Sequence, residues 1–346
     1  KDKLEIIVVD DGSTDGTGAI VKRFIKKHPL EPIRLLRQPN EGKAAALNHG
    51  LRILKGRYFA CLDTDSFVEP DALKYMIYWH QRDRELAIVT PVMKVDDPRN
   101  WVQKFQRLEY MAGMLLTKLM SYMHANYVAP GPFSVYKTAI IRKLGGFAND
   151  NLVEDQEIAY RAQMHHYRIM QAPKAIVRTI APYTVRQLQR QRNRWFKGSL
   201  LNIIEYRHLV FNRKYGDFGI FQMPLNVAAF ALGLIAFISF FYYTLRPIAK
   251  AIHRYWLVGF DLMPYLQTLQ WRFDPLTIQI TPMFILYLML ILSVVFLYLS
   301  SRANGDRVRQ YGFLHIIPYF FVYFLILSYV TVRVIVEVII GKKQKW

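Results

Sequence analysis

Two regimes of hydrophobic patterning divide the chain. Through residue 93, short apolar runs alternate with amphipathic stretches. LEIIVVDD (4–11) is apolar and ends in acids, the pattern of a strand buried in a parallel sheet. Residues 15–28 read as a helix, IRLLRQ (33–38) as a short strand and 42–55 as an Ala/Leu helix. RYFACLDTD (57–65) is a second strand ending in acids, followed by a helix over 70–82 and the strand LAIVTPVM (86–93). That alternation predicts βαβ units and a parallel sheet, hence an α/β fold. Residues 101–124 carry apolar positions at helical spacing, with core packing the role of most of them.

The second regime is continuous. Residues 221–245 and 276–301 contain no charge, and 313–332 form a third run that Arg333 ends and that resumes to Ile340. About 20 apolar residues cross the hydrocarbon core of a bilayer, so each run is long enough to span it. The pattern divides the chain into an aqueous part over 1–182, interface helices over 183–219 and a membrane region over 220–346, with about three spans at 221–245, 276–301 and 313–340.

Charge changes this picture by giving it an orientation. The chain of 346 residues has 46 Lys and Arg against 26 Asp and Glu, and its first 219 residues alone carry a net +13. Such a balance suits nucleic-acid binding, a membrane surface or anionic small molecules, and no nucleic-acid motif is present. The positive-inside rule puts the aqueous part in the cytoplasm, in a multi-pass protein of the cell membrane, and the loop 302–312 on the same side. Three spans would leave the C-terminus outside, which conflicts with Lys342, Lys343 and Lys345. One cysteine, Cys61, excludes an intrachain disulfide and a Cys-rich zinc site.

Candidate chemistry sits where strands end, the edge at which open α/β sheets bind ligands. Asp10 and Asp11 close the first strand. Asp63 and Asp65 close another, and their spacing would put both carboxylates on one face of an extended segment. Such a pair can hold a hard divalent cation, or it can be an Asp-rich turn. Gly42 and Lys43 open a helix, a place for an anion such as a pyrophosphate or for a solvated lysine. In QRQRNRW (189–195), Arg194 can fork onto phosphate oxygens and Trp195 can stack on a sugar or sit in the membrane interface. The same stretch also reads as a basic helix on anionic lipid. Glu154 and Asp155 in VEDQE can cap a helix or accept a proton.

The order DDGSTD, GKAAALN, DTD, APGPF (129–133), GGF…VEDQE and QRNRW, followed by apolar spans, resembles the processive, membrane-embedded family 2 glycosyltransferases. These include the hyaluronan, chitin, cellulose and poly-N-acetylglucosamine synthases. The resemblance covers roughly 4–245, and QxxRW is its most specific piece. It implies a GT-A-like, Rossmann-like domain followed by C-terminal transmembrane helices. It also implies an inverting transfer from a nucleotide sugar, UDP-N-acetylglucosamine or UDP-glucose, with Mg²⁺ or Mn²⁺. By this resemblance Asp11, with Asp10, contacts the nucleotide, and Lys43 and Arg194 lie at the donor diphosphate. Asp63 and Asp65 are the DxD pair and Asp155, beside Glu154, is the catalytic base. Gln191, Arg192, Arg194 and Trp195 belong to the lid and acceptor box, and Gly131 to an acceptor loop.

Three departures stand out. Val153 replaces a common Thr or Ser, Glu157 replaces the second Asp of EDxD, and the family's first strand would lie before residue 1, where the chain starts without Met. The expected product is a β-linked polysaccharide passed across the bilayer, with an accessory membrane subunit as a further partner. A non-processive enzyme that glycosylates a lipid is the alternative within enzymes, and a non-catalytic membrane subunit or channel the alternative outside them. Product length separates the three.

Overall fold

The structure, a computed structural model, describes residues 4–257, 259, 280–312 and 314–342. The sequence runs of the first regime become β1 (Ile6–Asp11), α1 (Thr17–Lys27), β2 (Ile33–Gln38), α2 (Lys43–Ile53), β3 (Tyr58–Ala60), β4 (Ser66–Val68), α3 (Ala72–Arg82) and β5 (Leu86–Val95). Then come α4 (Trp101–Tyr122), β6 (Val135–Lys137), α5 (Thr138–Lys143), α6 (Glu154–Met164), β7 (Arg168–Thr179) and α7 (Val185–Glu205).

The expectation of a parallel sheet is corrected to a mixed one. β1 and β2 pair in parallel, Ile6 opposite Ile33 through Asp11 opposite Gln38. A second sheet has the order β3-β6-β5-β7-β4, in which only β5 and β7 run parallel. β6 returns from the loop after α4 and enters between β3 and β5 in the opposite sense, and β4 reverses to lie along β7. β5 at the centre is almost wholly buried, which its unbroken apolar run requires. The strand expected over 57–65 stops at Ala60. Cys61 still exchanges backbone hydrogen bonds with the 133–134 loop, and Ser66 N–H then donates to the Asp63 carbonyl at 3.1 Å, closing a turn. Asp63 and Asp65 therefore lie on a turn, not on one face of an extended strand.

Local chemistry starts the helices that carry the site. Asn100 caps α4 by accepting from Gln103 N–H. Thr184 and Gln187 form a reciprocal capping box on α7. α6 has no side-chain cap, but Glu154, Asp155 and Glu157 fill its first turn and oppose the positive end of its dipole.

Three C-terminal helices are long and apolar enough to cross a membrane: α8 (Phe218–Leu257), α9, which runs Ile280–Asn304, and α10 (Ile316–Ile339). Residues 276–279 and Phe313 of the expected spans lie outside the described residues. Met223 and Asn226 anchor α8 on the aqueous domain, where Asn226 donates to the Tyr160 hydroxyl at 2.9 Å. Asn304 ends α9 by donating to the Met111 carbonyl of α4 at 2.7 Å. The following loop is fastened there too, because the buried Arg107 guanidinium reaches Asp306 and donates to the Arg307 carbonyl at 2.7 Å. The loop 302–312 thus shares the side of the aqueous domain.

Candidate active site

Four separate segments bring Lys43, Asp63, Gly131, Glu154 and Asp155 together. Lys43 opens α2, and the backbone before it is set by Asp11. One Asp11 oxygen accepts from Gln38 Nε2 at 2.8 Å and Glu41 N–H at 3.0 Å, the other from Gly42 N–H at 2.9 Å. Gly42 has φ +90°, a conformation glycine adopts freely. Asp10 is buried and braces the same edge, accepting from Ser13 N–H and from Arg37 Nε, each at 2.9 Å. Ser13's hydrogen bonds first, and the Arg37 charge after them, hold its carboxyl below the usual range. Both acids therefore serve the turn that presents Lys43.

The Lys43 ammonium lies 2.8 Å from Asp63 Oδ1 and 3.1 Å from Glu154 Oε1. Burial alone would lower its pKa, but Glu154, Asp63 and Asp155 outweigh that and raise it. Lys43 stays a cation and, at 31% side-chain exposure, remains open to solvent beside an equally exposed Asp63. Glu154 is buried.

Asp155 is half-buried at the start of α6. It accepts from Gln156 N–H at 2.8 Å and from Gly131 N–H at 3.2 Å. Burial first, and the neighbouring Glu154 charge second, push it up to about 6 against the opposing effect of Lys43. A carboxylate so poised can accept a proton near neutral pH. Gly131 is fixed by contact: a Cβ there would lie 2.6 Å from Lys43 Nζ and 2.9 Å from Asp63 Oδ2. Its loop is held by Phe133, whose N–H donates to the Cys61 carbonyl at 2.6 Å and whose φ is +62°, a strained value for an aromatic residue.

Asp65 stands apart from the cluster, exposed, and accepts from the Ser66 hydroxyl at 2.9 Å. Asp63 and Asp65 form an all-oxygen donor set on one short turn. Among the described residues no three His, Cys, Asp or Glu side chains converge as a metal site. Two carboxylates fit a hard divalent cation whose remaining ligands come from a diphosphate and water.

α7 carries the other candidates. Its Gly198 packs on the segment before α6, where a Cβ would come within 2.5 Å of Val153 Cγ2. Gln156 Nε2 also donates to the Ser199 hydroxyl at 3.1 Å. Val153, the departure from Thr or Ser, is thus the knob against which α7 closes. Glu157, the other departure, is buried and structural: it pairs with Arg161 and accepts from the Tyr206 hydroxyl at 2.6 Å. Gln191 accepts from Arg192 at 2.6 Å, and the Arg192 guanidinium stacks 4.2 Å from the centroid of the Trp195 ring. Arg192 is fully buried, ion-paired with Glu109 of α4 and within 3.4 Å of the Tyr323 hydroxyl of α10. Arg194 lies on the same helix, half-buried.

Sequence reasoning missed Glu109, Tyr110 and Tyr323. Tyr110 is half-buried beside Arg192 and Glu109. A glutamate amid the apolar positions of α4 was the one available signal.

Residues 1–145 match the model of glycosyl transferase family 2. The chain carries a family 2 glycosyltransferase domain. Over 195 residues it is 30% identical to the poly-beta-1,6-N-acetyl-D-glucosamine synthase of Staphylococcus epidermidis, covering 56% of this chain and 47% of that protein. The synthase of Staphylococcus aureus strain COL is 30% identical over 198 residues, 57% of this chain and 48% of its own. The match thus spans about half the length of these curated relatives. A mannosyltransferase from Pyrobaculum calidifontis, solved with GDP-Man and Mn²⁺, superposes with TM-score 0.61 over 99% of this chain and 79% of its own, at 20% identity. The glycosyltransferase domain and the apolar helices after it therefore share that enzyme's fold.

Proposed function

We propose that this chain is the catalytic part of an inverting polysaccharide synthase that transfers N-acetylglucosamine from UDP-N-acetylglucosamine to a growing β-linked chain. The observation that carries the reading is the cluster of Lys43, Asp63 and Glu154 with Asp155 on the adjoining helix turn. The likeness to the staphylococcal synthases supports the choice of sugar. Asp155 accepts the proton of the acceptor hydroxyl as that oxygen bonds to the anomeric carbon. The bond from that carbon to the diphosphate oxygen breaks, and UDP leaves. Lys43 and Arg194 face the charge that develops on the departing diphosphate. Asp63 and Asp65 would hold Mg²⁺ or Mn²⁺, which when bound neutralises charge on the leaving group. The Mn²⁺ of the Pyrobaculum enzyme supports a divalent cation here. Single displacement needs one base and no covalent intermediate, and it inverts the anomeric configuration.

The domain faces the cytoplasm, where nucleotide sugars are made, and the product crosses the bilayer beside the apolar helices. The test is to supply the full-length protein, in membranes, with labelled UDP-N-acetylglucosamine, UDP-glucose and GDP-mannose separately. Label from UDP-N-acetylglucosamine alone should enter polymer. A single sugar on lipid, or preference for another donor, would overturn the proposal.

A further inference from the structure

The third apolar helix has a geometry that its composition does not reveal. A spanning helix must place its two ends on opposite faces of a hydrocarbon layer about 30 Å thick. Both ends of α10 instead touch the aqueous domain. At its start, Tyr319 and Tyr323 pack on Phe105 of α4 and Leu188 of α7, and the Tyr323 hydroxyl donates to Glu109 at 2.6 Å. At its end, Glu337 is buried against α7, 3.4 Å from both Asn193 Nδ2 and Lys197 Nζ. Just beyond, the Lys342 carbonyl accepts from Lys197 Nζ at 2.5 Å. Between these ends α10 runs alongside α7.

α7 cannot lie in hydrocarbon. It carries Arg186, Arg190, Arg192, Arg194 and Lys197 within 21 residues, and charged side chains at the bilayer centre are strongly disfavoured. A helix packed along it shares its depth. The other side of α10 is apolar and uncovered, with Phe321, Phe324, Val336 and Ile339 all exposed.

We propose that α10 lies in the leaflet on the side of the glycosyltransferase domain, its uncovered face against lipid, and that only α8 and α9 cross the membrane. The partner of this face is the headgroup and acyl boundary of a lipid monolayer, as for other interfacial helices. Continuity supports this occupant, because α10 also packs on α8, where a Cβ at Gly233 would meet Thr331 at 3.0 Å. Charge supports it as well. With two crossings, the segments 205–217, 302–312 and 342–346 share one side and hold nine Lys and Arg, against four in 246–279 on the other. The conflict raised by the C-terminal lysines then disappears.

Single-cysteine labelling of the full chain in sealed cells, with a membrane-impermeant maleimide, tests the topology. Cys61, the native thiol, is buried. Lys22→Cys marks the domain, Trp256→Cys the far end of α8 and Lys342→Cys the end of α10, all at exposed positions. Labelling in detergent first establishes that each thiol reacts. Lys342→Cys should share the protection of Lys22→Cys, with Trp256→Cys alone labelled until the cells are permeabilised. Labelling of Lys342→Cys together with Trp256→Cys, while Lys22→Cys stays protected, would make α10 a third crossing and overturn the proposal.

Discussion

At the residue scale the proposed reaction turns on Asp155. Asp155→Asn keeps size and hydrogen-bonding reach but cannot take a proton, so turnover should fall by about 10²–10⁴ while donor affinity survives. UDP release and donor binding, measured side by side, check both halves. Because Asp155 is pushed up to about 6, its proton is lost only above that pH, and the rate should drop as pH falls through about 6. Glu154 is a main cause of the rise, so Glu154→Gln should carry this acid limb to lower pH while activity persists. The folded protein also binds that proton more tightly than the unfolded chain. Its contribution to stability is therefore present below the ordinary carboxyl value of 3.8 and lost as pH rises through about 6. Gly131→Ala should fold, since the atoms it meets are the tips of flexible side chains. It should nonetheless displace Lys43 and weaken donor binding and turnover, misplacements of about 1 Å costing up to ~10² in rate. A preserved melting temperature with a raised donor Kd is the expected signature. The acids and Lys43 were legible as motifs. The left-handed Phe133 that shapes their loop was not, because nothing in an aromatic residue announces a positive φ.

At the scale of elements, α6 and α7 are fitted by one small-to-large contact, Gly198 against Val153. Gly198→Ala should push α7 off the Glu154–Asp155 turn and lower turnover, and Val153→Ala in the same chain should restore part of the loss. A double-mutant cycle on turnover and melting temperature measures that coupling. Arg192 and Glu109 join α7 to α4, the guanidinium fully buried and the carboxylate 28% exposed. Glu109→Gln leaves a buried guanidinium uncompensated and should cost about 3–5 kcal/mol of stability, read as a fall in melting temperature. Runs and helix periods made most elements of the first half readable. What misled was strand sense and the DTD turn, because β6 and β4 take their direction from partners far along the chain. The knob at Val153 was visible only as a departure from a motif, and the structure shows what that departure packs against.

At the scale of the molecule, the aqueous domain and the apolar helices form one connected body. If Asp63 and Asp65 hold the proposed cation, exhaustive chelation should abolish donor turnover and Mg²⁺ or Mn²⁺ should restore it. Asp63→Asn should weaken donor binding and turnover together, unlike Asp155→Asn. The apolar runs were plain in the sequence, yet orientation was only half legible, since composition shows that a helix can cross and not whether it does. The Arg192, Glu109 and Tyr323 clasp has a practical consequence for anyone cutting the protein apart. A chain ended near residue 219 would lose the tyrosine and the aliphatic cover over Phe105 and Leu188. The freed surface would be sticky and would bear a half-solvated ion pair, so a soluble fragment should aggregate. Swapping in the tail of another glycosyltransferase would succeed only if the facing surfaces of α4 and α7 travelled with it.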